Sequence, residues 1–413
     1  MNIGLSMAFV GFLGALLLTN FKAALGVLES TAFHTVSSYD LVVIPLFILM
    51  GHWANRAGLI DELYDTAYKF MGHWRGGMAI SAVASCAGFS AVSGSSPATV
   101  ATIGTVAMPS MRKYNYDDSL SSGAIVAGGT LGILIPPSVI LILYGALTEQ
   151  SIGKLFLAGI IPGIMLTLLF MITVNIWTRI NPNAAPSTSR VPWSERIRTL
   201  KNIWGILVLF IVVMGGIFLG VFTPTEASAA GAFGALLFLI FRRKLQLHTF
   251  LTDLLDTTKT TSMIFLILVG GHIFGYFLAI STIPAELAGW ISGLDVNRYL
   301  ILAFILLVYI VLGCIMDALA MLILTLPIFF PLIKSLGFDP IWFGIIQVLL
   351  QEQALITPPI GMNVFVLKGV FPEIELQTIF KGIWPFWFAI IVCLLLIILF
   401  PQTTTWLPNM LNR

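Results

Sequence analysis

The chain has 413 residues, of which 58% are hydrophobic and 10% are charged, with a formal net charge of +2. A soluble domain carries about 25% charged residues, so this composition excludes a water-soluble fold and predicts one integral membrane unit. No basic run suggests nucleic acid, and Cys86, Cys314 and Cys393 are scattered in apolar sequence without the spacing of a metal site or a disulfide framework.

Apolar segments follow one another along the whole chain. A spanning helix needs about 20 apolar residues. Nine crossings are predicted, at 3–20, 41–58, 121–147, 154–180, 203–222, 224–241, 261–281, 341–371 and 381–400. The segments 59–72 and 245–260 mix charged and apolar residues and are predicted to be interfacial helices or arms.

Two further apolar stretches are interrupted and predict re-entrant hairpins. Residues 78–93 and 98–110 flank Gly94-Ser95-Ser96-Pro97. At about 1.5 Å per residue these arms reach roughly 24 and 20 Å, short of the roughly 30 Å hydrocarbon core. They predict a hairpin over 78–110. Residues 299–333, interrupted near Gly313 and Asp317, are the predicted second hairpin, with slightly longer arms.

Lys and Arg in short connections predict the orientation in the membrane. Five basic residues stand against Glu195 in the loop around 179–201, and Arg242-Arg243-Lys244 is basic throughout. Both segments are expected in the cytoplasm, which places the turn 223–226 outside.

Matches at a nearly constant offset indicate that the chain contains two copies of one unit. Four matches share an offset of 220 or 222 residues: Gly14-Ala15-Leu16-Leu17 with Gly234-Ala235-Leu236-Leu237, Gly51-His52 with Gly271-His272, Pro109 with Pro331, and Pro136-Pro137 with Pro358-Pro359. Alternation of the crossings orients the two copies oppositely, as in transporters built from inverted repeats.

The predicted fold is therefore an all-α polytopic membrane protein with two inverted-topology repeats. The first repeat is 1–180, with broken helix 121–147, and the second is 203–413, with broken helix 341–371. Residues 181–202 are the predicted cytoplasmic connecting loop. The counterpart of helix 203–222 would fall before residue 1, so we expect a segment that is missing or that another subunit replaces.

Four interruptions place polar groups at the depth of the hydrocarbon core, at 94–97, 130–138, 313–317 and 356–361. A helix broken in lipid must line a cavity or bury its backbone in protein. Its free carbonyls, together with hydroxyls, suit a hard cation such as Na⁺, whereas its N–H ends suit an anion. At the first tip, small residues are also typical of a close helix–helix contact.

Acidic and amide side chains mark the second copy. Asp317 at this depth costs roughly 2.5–3.5 kcal/mol on insertion scales and predicts a functional site; the alternative is a protonated cap of the next half-helix. Glu352 fits ion coordination, proton handling or a structural hydrogen bond, and Asn363 fits substrate contact or helix packing. The deep segments contain no Lys or Arg, so an anionic substrate would meet half-helix N-termini, polar side chains and bound cations.

Three motifs resemble those of the large (DctM-like) membrane subunit of tripartite ATP-independent periplasmic (TRAP) transporters. They are Gly94-Ser95-Ser96-Pro97-Ala98-Thr99, Gly132-Ile133-Leu134-Ile135-Pro136-Pro137-Ser138 and Ile356-Thr357-Pro358-Pro359-Ile360-Gly361-Met362-Asn363-Val364-Phe365. The resemblance covers nearly the whole chain. It implies Na⁺-driven uptake of an organic acid, often a carboxylate or sugar acid, across the bacterial inner membrane by an elevator-like displacement. It also implies two partners, a periplasmic substrate-binding protein and a small four-helix membrane subunit.

Carried over residue by residue, the resemblance implies two or more Na⁺ sites. The first site would use Gly94, Ser95, Ser96, Thr130 and Gly132, and the second Gly313, Asp317, Thr357 and Gly361. The candidate substrate contacts are Thr99, Pro137, Ser138, Glu352 and Asn363. The chain departs from the family at Glu352-Gln353-Ala354-Leu355, where a Glu-Ile-Gly-Leu-like run is more usual, and it lacks the family's usual further apolar helix at the start.

Energetics favour more than one coupling cation. Thousandfold accumulation needs about 4 kcal/mol, each entering cation gains about 2.3 kcal/mol per 100 mV, and each negative charge on the substrate forfeits as much.

The alternatives are a self-sufficient Na⁺- or H⁺-coupled carrier of the dicarboxylate/citrate type and, more remotely, an intramembrane enzyme. Asp317 and Glu352 lack a matched dyad motif, so the chain is predicted to be a transporter and not an enzyme.

Overall fold

The computed structural model describes residues 3–186, 190–292 and 296–410, and all regular secondary structure in these ranges is helical. Residues 187–189 of the predicted connecting loop lie outside the described residues. The helices of the first repeat are α1 Ile3–Leu18, α2 Phe21–Val36, α3 Val43–Arg56, α4 Leu59–Met71, α5 Gly77–Ser93, α6 Ser96–Lys113, α7 Asp118–Thr130, α8 Val139–Thr148 and α9 Ile152–Ile180, with short 3₁₀ segments at Tyr39–Val42, Leu131–Ile133 and, just beyond it, Pro182–Ala184.

The remaining helices belong to the connecting segment and the second repeat. They are α10 Trp193–Leu200, α11 Trp204–Phe210, α12 Gly216–Phe218, α13 Pro224–Phe241, α14 Leu247–Ile280, α15 Ile283–Ser292, α16 Arg298–Gly313, α17 Ala318–Ser335, α18 Pro340–Ile356, α19 Met362–Val370, α20 Leu376–Leu399 and α21 Gln402–Met410. A π-helical segment, Ile211–Gly215, joins α11 to α12.

Several helices are long and apolar enough to cross a membrane. In the described ranges five qualify by length and composition, namely α9, α13, α14, α17 and α20. Two bent pairs raise the number to seven: α2 with Tyr39–Arg56, at 51°, and α10 with Trp204–Phe218, at 41°. The all-α fold is confirmed, and each predicted crossing coincides with a helix, a bent pair or a broken helix.

Two segments differ from the sequence prediction. Helix α2 was not predicted, because Lys22, Glu29, His34 and several hydroxyl residues dilute its apolar character. The segment 245–260, predicted to be a separate arm, is instead the first part of the 34-residue helix α14. No glycine or proline interrupts the junction near residue 260, so the backbone continues as one helix.

Both predicted hairpins and both broken helices are present. α5 and α6 form the first hairpin and α16 and α17 the second. The first broken helix is α7 followed by α8, and the second is α18 followed by α19. Nearly every residue of α7 and α18 is buried, so these two helices form the centre of the molecule.

The packing repeats between the two copies. α1 lies against α14 as α13 lies against α3, and α6 lies against α19 as α17 lies against α8. Each hairpin therefore packs on the second half of the other repeat's broken helix, which is α19 for the first hairpin and α8 for the second. The matched glycines Gly51 and Gly271 also face the hairpins, since an added Cβ would lie 3.1 Å from Ser93 Cα in the first case and would clash with Ile323 in the second.

Candidate functional site

The first hairpin tip is a sharp turn rich in hydroxyl groups. α5 ends where Gly94 adopts a left-handed conformation with φ +61°, which glycine reaches without the steric cost of a Cβ. Ser95 then caps α6, accepting from the Ala98 amide at 3.5 Å. The Thr99 hydroxyl donates to the Ser95 carbonyl at 2.8 Å and lies 3.1 Å from Ser93 Oγ.

The first broken helix touches this tip through its backbone. A Cβ on Gly132 would lie 2.8 Å from the Ser95 carbonyl oxygen, and a Cβ on Gly94 would lie 2.8 Å from the Pro137 carbonyl oxygen. Both contacts need glycine. The predicted residues Gly94, Ser95, Gly132 and Pro137 are therefore neighbours.

Two hydroxyls complete the first break. Ser138 caps α8, and its hydroxyl donates to the Ile133 carbonyl at 2.5 Å, across the interruption. Thr130 Oγ1 donates to the Ala127 carbonyl at 2.8 Å. Both side chains are fully buried. Their oxygens keep lone pairs that a cation could use.

The second tip carries a carboxylate, Asp317, at the start of α17. Asp317 begins α17 and accepts from the Leu319 amide at 3.1 Å, so the capping role left open by the sequence is present; cation binding by Asp317 stays a prediction. A Cβ on Gly313 would lie 2.8 Å from Ala354 Cβ and 3.4 Å from Gln353 Oε1. The second tip thus meets α18 just before the break.

The second break is organised around one hydroxyl. Thr357 Oγ1 donates to the Gln353 carbonyl at 2.6 Å and accepts from Gln353 Nε2 at 2.5 Å and Trp387 Nε1 at 3.1 Å. Gly361, with φ +43°, then starts α19 without a side-chain cap. The Pro136-Pro137 and Pro358-Pro359 peptides of the two breaks are both cis.

Asn363 connects the second break to the first tip. Its Nδ2 donates to Ser96 Oγ at 2.7 Å and to the Val126 carbonyl at 3.3 Å. The side chain is fully buried, and its Oδ1 has no partner in the described chain. The structure therefore brings two residues that the sequence assigned to different copies into direct contact.

Glu352 lies near the end of α18, before the second break. It is fully buried, within electrostatic range of the Cys393 thiol on α20, and neither carboxyl oxygen has a partner in the described chain. Its assignment as a substrate contact stays a prediction.

Sequence reasoning missed two residues of the second break, Gln353 and Trp387. The departure from the usual family pattern at Gln353 was the one sequence signal for a special role of this residue. Trp387 lies 30 positions from Thr357 and carried no local signal. His272, one of the matched histidines, lies with Nδ1 2.9 Å from Thr35 Oγ1 and so joins α14 to α2.

The two tips offer oxygen atoms of the kind that hard cations prefer. The first site is built from backbone carbonyls and neutral hydroxyls, and the second adds the carboxylate of Asp317. Na⁺ sites at discontinuous helices use such oxygens, so the residues present fit the cation that the sequence suggested.

Comparisons with known proteins agree with this architecture. The family model described as "Tripartite ATP-independent periplasmic transporter, DctM component" matches residues 1–403. The chain is 37% identical over 382 residues to the C4-dicarboxylate TRAP transporter large permease protein DctM of Pseudomonas aeruginosa, covering 92% of this chain and 88% of that protein. It is 32% identical over 412 residues to the sialic acid TRAP transporter large permease protein SiaM of Vibrio cholerae, covering 99% and 95%.

A solved structure shares the fold. The YdaH transporter of Alcanivorax borkumensis superposes with a TM-score of 0.63 over 92% of this chain and 89% of its own, at 14% sequence identity. At this sequence identity the likeness to the solved structure shows the fold alone. The family match and the relatives, which are named as transporter permeases, show the family to which the chain belongs. The chain belongs to the DctM component family of the tripartite ATP-independent periplasmic transporters.

Proposed function

We propose that this chain is the Na⁺-coupled translocation subunit of an importer for a small organic acid, a carboxylate or sugar acid, in the bacterial inner membrane. A periplasmic binding protein would deliver the substrate, and a small membrane subunit would complete the complex. The word tripartite in the family description and the term large permease in the relatives' names support these two partners. The relatives named for C4-dicarboxylate and for sialic acid support an acidic substrate.

One observation carries the coupling to Na⁺. Both hairpin tips meet a broken helix inside the buried core, and each meeting point gathers carbonyl and hydroxyl oxygens around glycine contacts. A structural core alone gains nothing from interrupting its helices there, because each interruption removes backbone hydrogen bonds. Two cation sites match the energy needed to concentrate an anion against the membrane potential.

The substrate would bind between the tips, near the start of α19. This half-helix has no side-chain cap, so its first amides are free to meet a carboxylate. Asn363 Oδ1, without a partner, could accept from a substrate hydroxyl or ammonium group. Pro137 and Ser138 belong to the first break and Thr99 to the first hairpin tip, and the contact of these three residues with substrate belongs to the same proposal.

An elevator displacement fits the packing. Each hairpin packs on the broken helices of both repeats, so the two hairpins and the two broken helices can move as one body. The flanking pairs, α1 with α14 and α3 with α13, would form the scaffold. The close contacts at Gly51 and Gly271 lie between these two parts.

Transport by the reconstituted complex tests the proposal. Proteoliposomes containing this chain and the small subunit are supplied with the binding protein, loaded with radiolabelled succinate or sialic acid. An inward Na⁺ gradient should be required for uptake, and K⁺ should not replace Na⁺. Uptake that persists in Na⁺-free buffer would exclude Na⁺ coupling, and uptake of free substrate without a binding protein would favour the self-sufficient carrier.

A further inference from the structure

The second break contains a buried amide oxygen without a partner. Gln353 is fully buried on α18. Its Nε2 donates to Thr357 Oγ1 at 2.5 Å, whereas its Oε1 accepts no hydrogen bond in the described chain. Buried polar side-chain atoms are nearly always paired, so an unpaired one in a native structure calls for an explanation such as a bound ion.

The surrounding network determines which atom of the amide is the oxygen. The Thr357 hydroxyl has a single proton, which it donates to the backbone carbonyl of Gln353 at 2.6 Å. The same hydroxyl oxygen receives the indole N–H of Trp387, which is only a donor. Its second lone pair can therefore be filled only by another donor, which must be the amide nitrogen of Gln353. The amide oxygen points away from Thr357.

That oxygen faces the second hairpin tip. Gln353 Oε1 lies 3.4 Å from the position that a Cβ on Gly313 would occupy, at the end of α16. No backbone amide of the described chain donates to the carbonyls of Cys314 and Ile315, which follow Gly313. Gln353 Oε1 itself therefore faces the tip as a buried oxygen that has no donor, and an oxygen of this kind suits a hard cation and not an anion.

We propose that Gln353 Oε1 is a direct ligand of the cation bound at the second tip, and that Thr357 and Trp387 are positioning residues that hold its amide. The proposal rests on the Na⁺ coupling proposed above and changes the role of Thr357. Because one donated and two accepted hydrogen bonds saturate the Thr357 hydroxyl, it has no lone pair left for the ion. It acts through Gln353.

Equilibrium binding of radioactive Na⁺ to the full chain in lipid nanodiscs tests this. Losing an outer-shell partner of a metal ligand typically costs about 10- to 100-fold in affinity, so Gln353→Ile, which removes the ligand itself, should weaken one class of Na⁺ sites at least tenfold. Gln351→Ile is the matched control, since Gln351 is an equally buried glutamine of α18 that stands two residues before Gln353 and so projects from the opposite side of the helix. It should leave both classes unchanged.

A double-variant comparison separates ligand from positioning residue. Thr357→Val should weaken the same class of sites, but adding it to Gln353→Ile should cost nothing further, because Thr357 acts through the amide. Additive losses would make Thr357 an independent ligand and overturn the assigned roles. Gln353→Met keeps the length of the side chain without its amide oxygen, so it should weaken the same class of sites and replaces Gln353→Ile if that variant fails to fold.

The outcomes distinguish this inference from the proposed function. If the unaltered chain binds no Na⁺ in preference to K⁺, the proposed coupling fails. If it binds Na⁺ and Gln353→Ile, or Gln353→Met in its place, binds Na⁺ equally well, the coupling stands and Gln353 is not a ligand.

Discussion

The side-chain amide of Asn363 donates to the hydroxyl of Ser96 at 2.7 Å, joining residues 267 positions apart in the chain. Asn363 follows the second break and Ser96 starts the second arm of the first hairpin. Since both side chains are fully buried, this hydrogen bond is shielded from water and lipid. It makes the geometry of the first tip depend on the position of α19, and so links the two repeats inside the core.

Ser96→Ala should lower stability, because it removes the acceptor of a buried amide. We expect a loss of about 1–3 kcal/mol in the free energy of unfolding, measured by thermal unfolding in detergent. Ser121→Ala is the control, since Ser121 is also fully buried but its hydroxyl has no partner in the described chain; its loss should be nearly neutral. Equal effects of both changes would show that the Asn363 contact contributes nothing.

Asp317→Asn separates capping from cation binding. Asn caps a helix about as well as Asp, so stability should be retained, whereas loss of the negative charge should raise the Na⁺ concentration needed for half-maximal uptake. Asp317→Ala should in addition cost about 1 kcal/mol of stability through the lost cap. Asp339→Asn is the control, because Asp339 caps the start of α18 and lies at neither break. It accepts from the amides of Ile341 and Trp342 at 2.8 and 2.9 Å. If both Asn variants have the same Na⁺ requirement, Asp317 is only a cap.

The breaks and hairpins could be predicted from the sequence because they depend on local chemistry. Glycine and proline act on the backbone where they stand, as at Gly94 and Gly361, and a short apolar arm can be counted without knowing its neighbours. The repeat offset adds long-range information, since it pairs Gly51 with Gly271, and the structure places both against a hairpin.

The partners of individual polar side chains could not be predicted in this way. Asn363 reaches Ser96, and Trp387 reaches Thr357, only because helices from distant parts of the chain pack at particular angles. Helix α2 escaped prediction for a different reason. Its apolar stretch is broken up by charged and hydroxyl residues, and its place is determined by contact with α14.

Gly51→Leu should slow transport more than it reduces Na⁺ binding, if α3 and the first hairpin move past each other. The added side chain would press on the backbone at Ser93, and overpacking typically costs about 1–3 kcal/mol. Gly26→Leu is the control, since no atom of the described chain outside its own helix lies within 4 Å of a Cβ built at Gly26. Initial uptake rates and Na⁺ binding are compared on the same preparations. An uptake rate for Gly51→Leu equal to that of the control would count against a sliding contact at this position.

Arg56→Ala should destabilise the contact between α3 and α14. Arg56 pairs with Asp253 at 3.1 Å, and the carboxylate of Asp253 is only 4% exposed. Removing Arg56 leaves that carboxylate buried without its counter-charge, and a lost hydrogen bond to a charged group costs roughly 1.5–3 kcal/mol.

Lys259→Ala is the control on the same helix α14. It breaks the ion pair between Lys259 and Asp256, whose side chains are 76% and 48% exposed, respectively. Exposed pairs contribute about 0–1 kcal/mol, so this control should unfold at nearly the temperature of the unaltered protein. A matching small shift for Arg56→Ala would mean that Asp253 is solvated once its partner is gone, and that α3 is held to α14 by its apolar contacts.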